Sequence, residues 1–257
     1  MRLLGFLAAF AVSLTAVNPL SAADGTKKIV LIAGAKDPNH PAGTHEYERT
    51  VKLIKYGLET SANMRGLTCE VHFNGWPKDE STLDDADTIV LVSSGSDRRF
   101  EDHPMLVGER MKVIGRQMKR GCGLVTIHWT TFFPNAPQGD DILEWVGGHF
   151  DYQSGKTQNR WASAITTTSY DCKLGTPDHP VVRGVQPFKI KDEFYYQLRF
   201  RKNDERLKPL LVVNAPNVPR DQTVAWCVER KDGGRGFGFT GGHFFVLSTT
   251  RTSAGWS

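Results

Sequence analysis

The stretch from Gly121 to Thr131 constrains the fold more than any other part of the chain. A short apolar run, Leu124-Val125-Thr126-Ile127, stops abruptly at His128. Val125 and Ile127 suit a strand buried on both faces, as in a parallel sheet. In open α/β sheets, ligands bind beyond the carboxyl ends of such strands. An imidazole placed there gives or takes protons near neutrality, because its unperturbed pKa is about 6.5.

The preceding sequence repeats this alternation of strand and helix. Lys28 to Gly34 predicts a first buried strand, followed by a polar loop containing Asp37, Pro38, His40, Pro41 and Gly43. Glu46 to Ser61 carries Tyr47, Val51, Ile54 and Leu58 at helical spacing, with Thr44 as its expected N-cap. Thr68 to Phe73 alternates, which places His72 on a solvated face. Asp87 to Ser93 predicts a third, fully apolar strand. Gly108 to Lys119 predicts a helix, ended by Arg120-Gly121 with glycine at the C-cap. That order implies right-handed crossovers and a parallel, doubly wound sheet. Strand-like segments then recur at Ile165–Thr168, Phe188–Phe200, Leu210–Val213, Val224–Val228 and from Gly236 to Phe245. They are expected to extend the sheet as a mixed or antiparallel edge of one α/β domain.

The first residues read differently. Arg2, an uncharged apolar run from Leu3 to Val17 and the small residues Ser21-Ala22-Ala23 form the pattern of a secretory signal peptide over residues 1–23. The run is shorter than the roughly 20 residues of a membrane span, and no later segment is apolar enough to cross a bilayer. Export to the periplasm or beyond is therefore expected, with one domain over residues 24–257, a size that supports a real core. Basic residues, 32 in all, are interspersed with 28 acidic ones. No basic stripe of the kind that nucleic-acid binding needs is present.

Export permits disulfides, and Cys69, Cys122, Cys172 and Cys227 allow three pairings. Three of them fall in predicted strands, where free cysteine behaves as a small buried hydrophobe; buried thiols are expected. No CxxC motif points to a cysteine zinc site or a thioredoxin-like centre.

Five motifs occur in order: Gly121 to Trp129, Trp145 to Phe150, His179 to Gly184, Asp192 to Tyr196 and Gly234 to His243. Together they resemble the trehalose-utilisation, or ThuA-like, family, over about Lys28 to His243. The resemblance implies a fold similar to the class I glutamine amidotransferases: a flavodoxin-like three-layer α/β/α sandwich, mainly parallel, with antiparallel additions in the C-terminal half. It also implies a link to carbohydrate metabolism, without fixing a reaction. After Gly241-Gly242-His243 the family continues with a polar stretch and a final helix packed on the sheet. Here Phe244 to Ser257 has no helical period, so the end after about residue 245 is read as truncated or atypical, leaving an apolar patch on the sheet uncovered.

An amidotransferase needs a cysteine nucleophile on the strand-to-helix turn. His128 occupies that place, and Cys122 lies at the other end of the strand, roughly 20 Å away at about 3.3 Å per residue. No GxSxG elbow exists either. Glutamine amidotransferase chemistry is accordingly excluded. His128 and Glu193 are the candidate catalytic acid and base, with Asp192 on the opposite strand face bonding backbone or an arginine. His45, His243, Trp129, His149 and Tyr195 are the candidate substrate-binding residues, His149 at the pocket rim and the aromatic rings suited to stacking on a sugar. His40 reads as a solvated loop residue, and His103 and His179, each before proline, as turn residues. The leading expectation is an exported enzyme acting on a sugar or oxidised sugar. Two alternatives stay open: a non-catalytic carbohydrate-binding module, and a metal-dependent hydrolase whose divalent cation is held by His45, His128, His243 and Glu193, ligand types that zinc takes.

Overall fold

The computed structural model describes residues 26–245, apart from residue 63 and residues 156–159. The expected signal peptide and the atypical end after residue 245 lie outside the described residues. Eleven strands and three helices follow in the order β1 (Lys27–Ala33), α1 (Tyr47–Thr60), β2 (Leu67–His72), β3 (Thr88–Val92), α2 (Arg110–Lys119), β4 (Gly123–Ile127), α3 (Gln138–Trp145), β5 (Gly148–His149), β6 (Ala164–Leu174), β7 (Phe188–Tyr196), β8 (Arg199–Phe200), β9 (Leu207–Val213), β10 (Gln222–Glu229) and β11 (Arg235–Phe239).

Nine strands form one sheet in the order β2-β1-β3-β4-β11-β10-β9-β6-β7. The first five pair in parallel, with the last strand of the chain, β11, inserted beside β4. The other four extend the sheet by antiparallel pairing. β5 and β8 form a separate two-residue ladder. The architecture is the mixed α/β sandwich of the class I amidotransferase type, with its antiparallel additions in the second half.

Strand alternation sorts the core into two layers. Ile29, Leu31 and Ala33 of β1 pack with Tyr47 and Val51 of α1, whereas Val30 and Ile32 pack with Ile114 and Met118 of α2 and Ile142 of α3. Each fully buried Leu or Ile contributes about 1.5–3 kcal/mol. Leu124 of β4 joins the second layer with full burial. Val125 and Ile127, expected to be buried, are only half-buried on the α1 face. Val125, Val181, Cys227 and Phe237 line a groove of about 420 Å³ there. Among the described residues no helix covers it.

Two local expectations change. Thr44 does not cap α1: Glu46 occupies the N-cap without a capping side-chain bond, and its carboxylate instead accepts the Gly43 N–H at 2.8 Å. Thr44 is drawn away by its hydroxyl, which donates to the Pro41 carbonyl. His72 is half-buried, its Nε2 2.8 Å from Glu70. All four cysteines are free and buried, as expected, and burial pushes the Cys122 thiol up to about 11 and the Cys172 thiol to about 12. No helix among the described residues is long and apolar enough to cross a membrane.

His103 and His179 each begin a short 3-10 turn, where Nδ1 accepts the N–H two residues on and proline follows. His103 is fully buried, and its Nε2 donates to the Thr130 carbonyl at 3.0 Å. Burial lowers its pKa to about 4. A histidine that is harder to protonate folded than unfolded stabilises the native state fully above about pH 6.5, and the contribution is lost as pH falls toward 4. Between pH 7 and pH 4.5, urea unfolding of the wild type should lose about 2–3 kcal/mol more than His103→Gln loses. Equal losses in the two proteins would show that His103 does not titrate this way.

Candidate functional site

Four segments deliver imidazoles or a carboxylate to one point beyond the carboxyl ends of the parallel strands. His45 lies in the β1–α1 loop, His128 follows β4, His243 follows β11, and Glu193 projects from β7. His45 Nε2 is 2.9 Å from His243 Nδ1 and 3.3 Å from His128 Nε2. Glu193 Oε1 is 3.5 Å from His243 Nδ1 and 3.9 Å from His128 Nε2. His45 and His128 are almost wholly buried, and Glu193 and His243 largely so, with 19 % and 12 % of their side chains exposed.

The backbone places these rings at a cost. His45 and His128 sit at φ +51° and +54°, a region that favours glycine, for which non-glycine residues give up about 1–3 kcal/mol each. Surrounding bonds hold them there. His45 N–H donates to the His243 carbonyl at 3.1 Å. Thr131 Oγ1 donates to the His128 carbonyl at 2.7 Å. His128 Nδ1 donates to the Thr240 carbonyl at 2.8 Å, which leaves its Nε2 a lone pair facing the cluster.

Asp192 and Glu193 separate by strand alternation. Asp192 is 1 % exposed. Its carboxylate accepts the N–H groups of Gly242 at 2.7 Å and His243 at 3.1 Å. Gly242 needs its freedom: φ is +101° as the chain turns back toward β7. Glu193 and Tyr195, two residues apart, share the opposite face. Glu193 Oε2 accepts the Thr167 hydroxyl at 3.0 Å, and Tyr195 OH lies 2.8 Å from His128 Nε2.

Burial sets the electrostatics. It lowers the pKa of His128 to about 3, with the carbonyl of Thr240 acting the other way. Burial first, then the charge of His128, holds His45 far below the imidazole range. His243 is also lowered by burial, against the charges of Glu193 and Asp192. Burial raises Tyr195 well above the phenol range, so its hydroxyl keeps its proton. The cluster is thus a set of imidazoles held toward the neutral form beside one carboxylate, with the Tyr195 hydroxyl placed to donate to His128 Nε2.

A cavity of about 190 Å³ opens onto this point, lined by His40, His45, Trp129, Trp161, Glu193 and Tyr195. Of the sequence candidates, His45, Glu193, Tyr195 and Trp129 line it; His128 and His243 do not, but touch Tyr195 and His45. His149 stands apart. It is fully buried in the β5–β8 ladder, with Nδ1 on the Phe150 carbonyl and its ring against Gly139. It lines no rim of this cavity, because β5 runs on the far side of Phe150 from the cluster.

Sequence reasoning missed His40. Expected in solvent, it stacks on His45 with ring centroids 3.8 Å apart, and its Nδ1 pairs with buried Asp37. Its loop between Pro38 and Pro41 has no periodicity to reveal that packing. Asp97 was also missed. It accepts Trp129 Nε1–H at 2.7 Å, and burial raises its pKa although that bond opposes the shift. Arg98 lies over the Trp129 ring at 4.6 Å.

Fold and site together define a mixed α/β sandwich in which a histidine cluster stands beyond the carboxyl ends of the parallel strands. The chain belongs to the ThuA family: the family model described as trehalose utilisation matches residues 33–246. A ThuA-like protein from Bacteroides uniformis has a similar structure, at a TM-score of 0.57 and 13% identity over 88% of this chain and 86% of that one. A cytoplasmic protein from Salmonella typhimurium is similar at a TM-score of 0.51 and 14% identity, over 87% and 91% of the two chains. A glutamine amidotransferase from Thermotoga maritima overlaps at a TM-score of 0.47 and 8% identity, over 84% and 76%. At such identities the first two likenesses speak for the fold alone. No curated protein matches the chain in sequence.

Asp192→Ala should release the His243 segment. Two charge-assisted bonds to backbone N–H groups disappear, and a loss of about 2–4 kcal/mol is expected in urea unfolding. Hydrogen exchange at the Gly242 and His243 amides should accelerate in the same variant. Unchanged exchange there would disconnect Asp192 from the placement of His243.

Proposed function

We propose that this ThuA-family protein is an exported enzyme that acts on a carbohydrate through a divalent cation held by His45, His128, His243 and Glu193. One observation carries the metal assignment: two imidazole nitrogens from two other segments, His243 Nδ1 and His128 Nε2, lie within 3.3 Å of His45 Nε2. A single proton on that nitrogen serves only one of these two neighbours, whereas a cation serves all three nitrogens. Tetrahedral zinc with metal–nitrogen bonds of about 2.0–2.1 Å has ligand–ligand edges of about 3.4 Å, close to the spacings of the cluster. The donor set, three neutral histidines and one carboxylate, also fits manganese.

Around that centre the chain supplies orientation and proton handling. The bond from His128 Nδ1 to Thr240 fixes its tautomer and aims Nε2, as outer partners do for metal-ligating histidines. His45 Nδ1 is likewise tied to Tyr47 OH at 3.1 Å, which contacts Ser94 Oγ at 3.0 Å. A bound cation supplies Lewis acidity toward a substrate oxygen. Tyr195, protonated throughout the physiological range, donates to an oxygen developing negative charge. Glu193, anchored by Thr167, directs its second oxygen to the cluster.

The carbohydrate part is supported by the family description and by the cavity wall. Trp161 is 43 % exposed at the mouth, and Trp129 lies deeper. Such rings suit the apolar face of a sugar. A volume of about 190 Å³ is below the range of about 300–1,000 Å³ typical of drug-sized ligands, which matches a single sugar ring. Export is supported by Arg2, the apolar run behind it and Ser21-Ala22-Ala23.

A second reading keeps the same residues without metal, His128 and Glu193 exchanging a proton as acid and base. Their 3.9 Å approach supports it. Elemental analysis of untagged protein purified without added metal separates the two. The metal reading expects about one equivalent of zinc or manganese, as tight sites retain their ion, and less than about one-tenth in His128→Ala and His243→Ala. Wild type with less than one-tenth equivalent, and no uptake on adding zinc, overturns the metal reading.

A further inference from the structure

A second, larger cavity of about 510 Å³ adjoins the histidine cluster. It lies beyond the carboxyl ends of three parallel strands: Lys36 and Asp37 follow β1, Asn74 and Gly75 follow β2, and Ser94 and Arg98 follow β3. The sheet order β2-β1-β3 reverses direction here. That reversal is the switch point at which doubly wound sheets bind ligands.

The charges around this cavity are unevenly satisfied. Asp37 is buried and fully engaged: it accepts the N–H of Asn39 at 3.0 Å and its side-chain amide at 3.2 Å, pairs with His40, and meets Arg98 at 3.3 Å. Arg99 is closed off by Asp102. Glu101 is the remaining acid, and it stands exposed at the wall. Against it stand Lys36, Arg98 and Arg110. Among the described residues, neither Lys36 nor Arg110 has a carboxylate within ion-pair distance. Arg110 is the more telling of the two. Its guanidinium lies 4.8 Å over Trp76 and gives one hydrogen bond, at 3.1 Å, to the Pro104 carbonyl. Burial lowers its pKa, with the charge of Glu80 acting the other way. A half-buried guanidinium with most of its five donors unspent is suited to a planar or tetrahedral anion.

The two cavities share a wall: Trp129 and Arg98 line both. Lys36 and Arg110 line the larger cavity and His45 and Glu193 the smaller one, so both sets of groups border the same indole.

We propose that the larger cavity is an anion subsite and that the ligand is an acidic monosaccharide unit bearing a carboxylate or a phosphate. The inference rests on the carbohydrate reading for the ring and adds the charge of the substituent.

Calorimetric titration of the full zinc-supplemented protein with D-glucuronate, D-glucose 6-phosphate and D-glucose tests it. At least one anionic sugar should bind about tenfold or more tightly than glucose, and its affinity should fall as salt rises. Glucuronate and glucose 6-phosphate distinguish carboxylate from phosphate as the preferred group. Arg110→Gln should weaken the anionic sugar about tenfold and leave glucose unchanged. Lys36→Met, at an exposed position, provides the same readout should Arg110→Gln fold poorly. Equal affinity for all three sugars, no binding of either anion at millimolar concentration, or anion binding untouched in both variants overturns the proposal. Zinc content is read in the same samples: a protein that holds no metal yet prefers anionic sugars through Arg110 loses the metal reading and keeps this one.

Discussion

One buried carboxylate ties the two halves of this protein together. Asp192 sits in the outermost antiparallel strand, far along the sheet from β4, yet it takes the backbone N–H groups of Gly242 and His243 as the chain leaves β11. Burying a charge is costly unless hydrogen bonds replace its water. Here the replacement donors belong to the segment that carries His243. Burial alone raises the pKa of Asp192, and the N–H groups of Gly242, Glu193 and His243 pull it back. The same bonds that favour the charged form of Asp192 thus fix where His243 stands, and through strand alternation they fix where Glu193 points.

Around this clamp the cluster follows a consistent logic. Dry surroundings favour neutral imidazoles. The Thr240 carbonyl occupies His128 Nδ1, so its Nε2 is a lone pair, faced by Tyr195 OH at 2.8 Å and His45 Nε2 at 3.3 Å. The positive φ values of His45 and His128 belong to the same economy, since strain at both residues is maintained where their rings meet. At the sharp turn after β4 the residue is thus an imidazole, held at φ +54°.

Much of the fold was legible because burial period and strand length are local properties. The alternation of buried strand and amphipathic helix up to His128 marks the parallel half, and Gly121 with φ +86° ends α2 where glycine was expected. The insertion of β11 beside β4 was not legible. It depends on a pairing between residues more than a hundred positions apart, such as Phe237 with Val125. His45, His128, Glu193 and His243 stood out as titratable residues at strand ends and loop mouths. His40 did not, since its stacking on His45 arises from a proline-bounded loop folding back, and no periodicity encodes that. His149 misled because a Gly-Gly-His sequence looks alike in both settings. At His243 the glycines turn the chain into the site, whereas at His149 Gly147, with φ +91°, turns it into the β5–β8 ladder.

Trp129 explains why one strand end serves two cavities. Its indole N–H is fixed by Asp97, one face meets the Arg98 guanidinium, and its edge lies against His45 with centroids 5.0 Å apart. A cation over one face and imidazoles at the edge give the ring a polar side and a side suited to a sugar. A Cβ at Gly95 would lie 2.5 Å from Phe132 Cβ and 2.6 Å from the indole, so only glycine lets the β3 loop approach closely enough to hold the ring there. The two groups of side chains thus meet across one rigid ring: imidazoles, Asp97 and Glu193 line the small cavity, and Lys36 and Arg110 line the larger one. The carbohydrate and anion readings proposed for them require a ligand that is short, ring-bearing at one end and anionic at the other.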